Sequence, residues 1–225
     1  MYKTVIIIPF RDRDEHLNDF IKTAVPSIDK YLPNTKIVVV EQKNDKLFNR
    51  GALLNVGFKE YENKTEYFIT NDVDMIPSHN VVQNVYSQEN KDVIRIRSAH
   101  KQSLGGVAKF KHSTIFDING FPNNIWGWGI EDRALFYRCY IKNIGVTDDN
   151  KSKQFKILPH KSNENMNYMG DKKILSDLWT KVSIDKLDAQ QKQDLIIGSG
   201  ISNLDYTIIE RQSMHGIVEK IKVDF

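Results

Sequence analysis

The chain has 225 residues, 40% hydrophobic and 27% charged, which suffices for one sizeable core and excludes a disordered or fibrous protein. Its 32 Lys and Arg against 29 Asp and Glu leave +3, with lysines scattered along the chain, so nucleic acid is not an expected partner. One cysteine, Cys139, leaves no internal disulfide and points to a reducing compartment.

The first apolar run, Val5-Ile6-Ile7-Ile8, is far too short for a signal-peptide core or a membrane span. A soluble cytoplasmic protein without a membrane segment is therefore expected, and the sequon at Asn63-Lys64-Thr65 then carries no meaning. The same β-branched run reads as a strand buried on both faces and stopped by Pro9. Leu17, Phe20, Ile21, Ala24 and Val25 recur at helical spacing, with Asp14 and Glu15 at the favourable end and Pro26 ending or kinking the helix. Lys36–Val40 is a second buried strand, Leu53, Leu54, Gly57, Phe58 and Tyr61 mark a second helix, and Tyr67–Thr70 is a third strand. This β-α-β-α-β order predicts parallel strands joined by crossovers, with ligands beyond their carboxyl ends.

The second half is less regular. Asp92–Arg97 reads as a strand followed by a Gly105-Gly106 turn, and a helix starts near Glu131. Residues 148–154 read as an exposed loop, and residues 161–173 show no period before a helix near 174–182. Tyr206–Glu210 and Gly216–Val223 read as late strands. One α/β domain over residues 1–225 is expected, with no repeat or linker.

Charge gathers at two of the predicted strand ends. Arg11-Asp12-Arg13 follows the first strand and Asp72-Val73-Asp74 follows the third. Carboxylates two apart at a strand end suit a hard cation bridging a diphosphate, although such triplets also serve as solvated turns. The segment Gly120–Asp132 holds two tryptophans separated by glycine, which suits stacking on a sugar ring or, alternatively, plugging a gap over the core. Glu131 and Asp132 supply carboxylates beside that platform, fit for general-base chemistry or for capping the helix they open.

These blocks together resemble the β-1,4-galactosyltransferase family. The resemblance runs in order through Ile7–Arg13, Phe48–Phe58, Phe68–Pro77, Gly105–Val107 and Asn119–Asp132, then more weakly through Ile157–His160 and Gly200–Tyr206. It implies a single GT-A (Rossmann-like) domain with a mostly parallel central sheet flanked by helices. It also implies an inverting, metal-dependent transfer of Gal or GalNAc from a UDP-sugar to an acceptor glycan. Pro9, Phe10, Arg11, Arg13, Phe48 and Arg50 would line the uridine and diphosphate pocket, with Gly105 and Gly106 also on the donor side. Asp72 would meet the ribose or the metal shell, and Asp74 and His160 would ligate the metal. Manganese is the family habit, and magnesium is possible. Trp128 would touch both sugars, Glu131 would bind the donor sugar, and Asp132 would be the general base.

The departures shape the expectation. Ile157 and Leu158 stand where relatives place further ligands, so protein ligation rests on Asp74 and His160. Arg133 replaces an acid near the acceptor, which favours a negatively charged acceptor, and Ser103 stands where a tyrosine crowds the donor's C2 group, which leaves room for GalNAc. A chain this short, without a stem or anchor, points to a bacterial or viral origin. A catalytically silent glycan-binding module of the same fold is the alternative.

Overall fold

The computed structural model describes residues 1–127, 129–149, 151–159 and 169–225. Strand β1 (Tyr2–Phe10) is buried from Thr4 onward and pairs in parallel with β2 (Thr35–Gln42) and β3 (Thr65–Asn71). Pro9 does not stop β1. Pairing to β3 ends at Ile7, while pairing to β2 continues to Phe10, so the missing N–H of Pro9 falls beyond the β3 ladder. Between β1 and β2 lie α1 (Asp14–Thr23) and α2 (Val25–Tyr31), with Pro26 in the first turn of α2 where a proline costs no hydrogen bond.

Helix α3 (Arg50–Glu60) joins β2 to β3 and is buried continuously from Gly51 to Phe58, so it sits inside the molecule rather than on its surface. A Cβ on Gly57 would lie 2.5 Å from Ile7 Cγ2, so only glycine lets α3 settle on β1. After β3 come β4 (Met75–Pro77), α4 (His79–Val81) running into a π-helical turn at Val82–Tyr86, β5 (Val93–Arg97), β6 (Val107–Lys111) and α5 (His112–Asp117). Then follow α6 (Glu131–Ile141), β7 (Val146–Asp148) and β8 (Phe155–Ile157). The chain closes with α7 (Met169–Leu178), α8 (Lys181–Asp185), α9 (Ala189–Ile197), β9 (Thr207–His215) and β10 (Val218–Asp224).

Among the described residues, eight strands form one sheet in the order β7-β5-β6-β3-β1-β2-β10-β9, and β4 and β8 form a small second sheet. Four of the seven neighbouring pairs in the large sheet are parallel, which fits the mostly parallel sheet expected. Alternate residues of β1 feed two cores. Val5 and Ile7 pack with Leu53, Phe58 and Leu135 on one face, while Ile6, Ile8 and Phe10 pack with Leu17, Phe20 and Tyr86 on the other. A third cluster joins Ile125, Ala134, Tyr137, Trp179 and Ile184.

Several elements differ from the expectation. The helix near 174–182 is two helices, because Thr180 takes an extended conformation and caps α8 by accepting from Ser183 N. Residues 148–154 are not simply an exposed loop: Val146–Asp148 pairs in parallel with β5, and Ser152–Gln154 forms a 3₁₀ turn. Strand β6 escaped the pattern because Lys109 is buried within it, its ammonium donating to Tyr86 O and Gln88 O at 2.6 Å each.

Candidate functional site

Because β1, β2 and β3 are parallel, their carboxyl ends share one edge, and β5 runs the same way through two successive antiparallel pairings. Charged residues Arg11, Arg13, Asp72, Asp74 and Arg97 therefore gather there, as do the first residues of α3 and α6.

The Asp72–Asp74 turn is clamped by its backbone. Met75 N donates to Asp72 O at 3.0 Å, Asp72 N to Gly106 O at 3.2 Å, and Leu158 N to Asp74 O at 2.8 Å. Buried Asn71 reinforces it, its amide donating to Asp72 O and Met75 O at 2.8 and 2.9 Å. Asp74 is buried, and Arg13 Nη1 stands 3.8 Å from its carboxylate.

Arg50, the first residue of α3, bridges this turn to α6. Its Nε donates to Asp72 Oδ1 at 2.8 Å, and its Nη1 lies 3.8 Å from Glu131 Oε1, an ion pair too long for a hydrogen bond. Burial opposes the charge on Arg50, but Asp72 and Glu131 outweigh it and raise its pKa. Glu131 is pushed up to about 7, first by burial and then by the charge of Asp132, with Arg50 pulling the other way. Asp72 is raised by burial, against the pull of Arg50. Both Nη atoms of Arg50 and Oε2 of Glu131 are buried without a hydrogen-bond partner among the described residues, a costly state for polar atoms.

Asp132 meets different surroundings. Its Oδ2 accepts from Ser103 Oγ at 2.6 Å and its Oδ1 from Arg133 N at 2.7 Å. A Cβ on Gly105 would come within 2.5 Å of Oδ2, so glycine is what admits the carboxylate there. The entry to α6 is sharp, with Gly129 at φ 90 and Ile130 at φ 81, the latter rare for a β-branched residue. Arg133 reaches α7, where its Nη1 donates to Ser176 Oγ at 3.2 Å.

The remaining predicted residues divide. Arg11 Nη1 donates to Lys46 O at 2.6 Å, and its guanidinium lies 5.4 Å from the centre of the Phe48 ring. Pro9 and Phe10 are buried, and the Phe10 ring packs into the core, so this position reaches the edge with its backbone alone. Gly106 adopts φ 69 with Arg97 O beside it, so it serves the turn. Trp126 packs edge-on against Phe225, whereas Trp128 and His160 lie outside the described residues. Among the described residues, no group of three His, Cys, Asp or Glu side chains forms a metal cluster. Leu158 is buried in the core and Ile157 pairs with Met75, so β8 brings the chain alongside Asp74.

Residues outside the predicted set brace the site. Asn55 donates to Phe121 O and Asn123 Oδ1, Asn49 donates to Asn123 O, and fully buried Arg138 donates to Asn119 O and Gly120 O. Isolated asparagines and an arginine on an apolar helix carry no periodic signal, so only their partners reveal this role.

The fold has counterparts of known structure. A Drosophila β-1,4-galactosyltransferase 7 mutant, solved with manganese, UDP-Gal and xylobiose, superposes with a TM-score of 0.79 at 21% identity, over 99% of this chain and 94% of that one. Staphylococcus aureus TarS follows with 0.56 at 13% identity, over 86% and 69% of the two chains. The fold is that of the GT-A glycosyltransferases. Residues 1–88 match the N-terminal region of glycosyl transferase group 7 and residues 88–161 match the N-terminal domain of galactosyltransferase. The chain belongs to this family, whose members include the β-1,4-galactosyltransferases.

Its relatives include bovine β-1,4-galactosyltransferase 1, 30% identical over 99% of this chain and 54% of the relative. The human protein of that name is 37% identical over 66% of this chain and 39% of its own length. The chain thus spans about half or less of these curated relatives. They are animal proteins, which lends no support to the expected bacterial or viral origin. Among the described residues, no helix is long and apolar enough to cross a membrane.

Proposed function

We propose that residues 1–225 act as one catalytic domain, a metal-dependent inverting transferase that moves Gal or GalNAc from a UDP-sugar to an acceptor glycan hydroxyl. The observation that carries this reading is the buried Arg50–Glu131 pair, with polar atoms unpartnered among the described residues, set between the Asp72–Asp74 turn and the Asp132 carboxylate. An anion offered to Arg50 and sugar hydroxyls offered to Glu131 would satisfy those atoms.

In this reading Arg11, Arg13 and Arg50 hold the diphosphate, while Phe48 and the backbone at Pro9 and Phe10 bound the uridine. Gly105 makes room for the Asp132 carboxylate and Gly106 shapes the turn beside Asp72, which keeps both on the donor side. Asp132 takes the proton of the acceptor hydroxyl as its oxygen bonds to the anomeric carbon. The bond from that carbon to the diphosphate oxygen breaks, and its electron pair leaves with UDP.

Asp72 and Asp74 fit a hard divalent cation, since both offer carboxylate oxygens from one clamped turn beside the arginines. Asp74 and His160 are the ligands in this reading, with Asp72 nearby. Manganese or magnesium held there would neutralise charge on the departing diphosphate. Trp128 would contact both sugars. No large side chain stands at Ser103, which keeps GalNAc beside Gal as a donor, and Arg133 favours a negatively charged acceptor.

The test is to incubate the protein with UDP-Gal or UDP-GalNAc, Mn²⁺ and a panel of neutral and acidic acceptors, measuring UDP and new glycoside together. Equal amounts of both products are expected, and chelation should abolish them. UDP without glycoside would indicate hydrolysis. Glycan binding without UDP release would indicate a silent module and overturn the proposal.

A further inference from the structure

The base of the loop between β5 and β6 touches the Asp132 carboxylate. At its tip, residues 99–102 are exposed, whereas Ser98 and Ser103 at its feet are 7% and 3% exposed. Ser98 Oγ lies 3.0 Å from Ser103 Oγ, and Ser103 Oγ lies 2.6 Å from Asp132 Oδ2. Gly105 N also donates to Ser103 Oγ, at 3.2 Å.

Proton accounting fixes the direction of the bond between Ser103 and Asp132. A carboxylate accepts only, so the single hydroxyl proton of Ser103 goes to Asp132. Gly105 N–H fills one acceptor site of Ser103, and the single Ser98 proton is shared between the other and His100 O, which lies 3.2 Å from Ser98 Oγ. The Ser103 hydroxyl cannot rotate without losing its bond to Asp132. With Arg133 N on Oδ1 and Ser103 on Oδ2, both carboxylate oxygens are held and the plane of the group is set.

We infer that Ser103, backed by Ser98, is a positioning residue that orients the Asp132 carboxylate toward the acceptor hydroxyl. The inference rests on Asp132 being the base. It makes the side chain at position 103 matter to turnover more than to donor binding, because its hydroxyl is turned to Asp132.

The experiment is a kinetic cycle on the full chain with Ser103→Ala, Ser103→Thr, Ser98→Ala, Asp132→Asn and the Ser103→Ala/Asp132→Asn double variant. Ser103→Ala should lower kcat roughly tenfold or more, with KM for the UDP-sugar and UDP affinity within about twofold. Ser98→Ala should lower kcat less, and Ser103→Thr, which keeps the hydroxyl, should recover most of the loss. In the Asp132→Asn background, Ser103→Ala should cost nothing further. Unchanged kcat in Ser103→Ala, or an equal loss in both backgrounds, overturns the inference, and the cycle decides even where the buried threonine fails to fold. Transfer that survives Asp132→Asn alone overturns the base assignment instead, so the two failures are distinct.

Discussion

Glu131 and Asp132 are adjacent in the chain yet meet opposite environments. Glu131 is buried against Arg50 with one oxygen unpartnered among the described residues, while Asp132 has a donor on each oxygen. The pKa of Glu131 rises from an ordinary 4.5 to about 7, so between those values the folded state binds more protons than the unfolded one. Stability due to this group therefore falls as pH rises through that window and levels off above it. Glu131→Gln removes the ionisation, so its melting temperature relative to the unsubstituted protein should rise between pH 5 and pH 8. A pH-independent difference in thermal melts would contradict the cause assigned to the shift. Arg50→Met should act the other way, leaving Asp72 and Glu131 without their shared cation and costing roughly 3 kcal/mol in urea unfolding at neutral pH. At this scale the carboxylates and arginines were legible, because charge after a buried strand is conspicuous. Ser98 and Ser103 were not legible as partners of Asp132. A serine reveals no partner from spacing alone, and this one lies 29 positions from its carboxylate.

The elements that carry the edge were the most legible, since β1, β2 and β3 are continuous apolar runs and α3 has a clear apolar spacing. The structure adds how tightly they fit. Gly57 lies against Ile7, and a Cβ there would come within 2.5 Å of Ile7 Cγ2 and 2.9 Å of Cγ1 and Cδ1. Gly57→Ala should therefore cost roughly 1–3 kcal/mol in denaturant unfolding despite the better helix propensity of alanine, and a neutral or stabilising result would show that β1 yields. Pro9 misled because its missing donor falls outside the β3 ladder. The break at Thr180 was hidden within an apolar stretch, and α9 lacked strong patterning, although its Asp188–Gln191 capping box gives it a clean start.

Across the whole molecule, one sheet takes strands from both ends of the chain, β1 through β10, and presents its charged edge between α3 and α6. The order of the motifs made this architecture legible, whereas the short strands β4 and β8 were not. They emerge only from pairing across some 80 positions, and that pairing brings Leu158 beside Asp74. The parallel strands define the edge where the donor pocket is proposed, and α6 carries the proposed base to it. The most direct measurement is single-turnover transfer from UDP-Gal by the unsubstituted protein and by Asp132→Asn, alongside manganese-dependent UDP binding. Transfer should fall by roughly 10²–10⁴-fold while UDP affinity changes little. Persistent transfer, or loss of UDP binding in step with transfer, would contradict the assignment of Asp132 as the base at this edge.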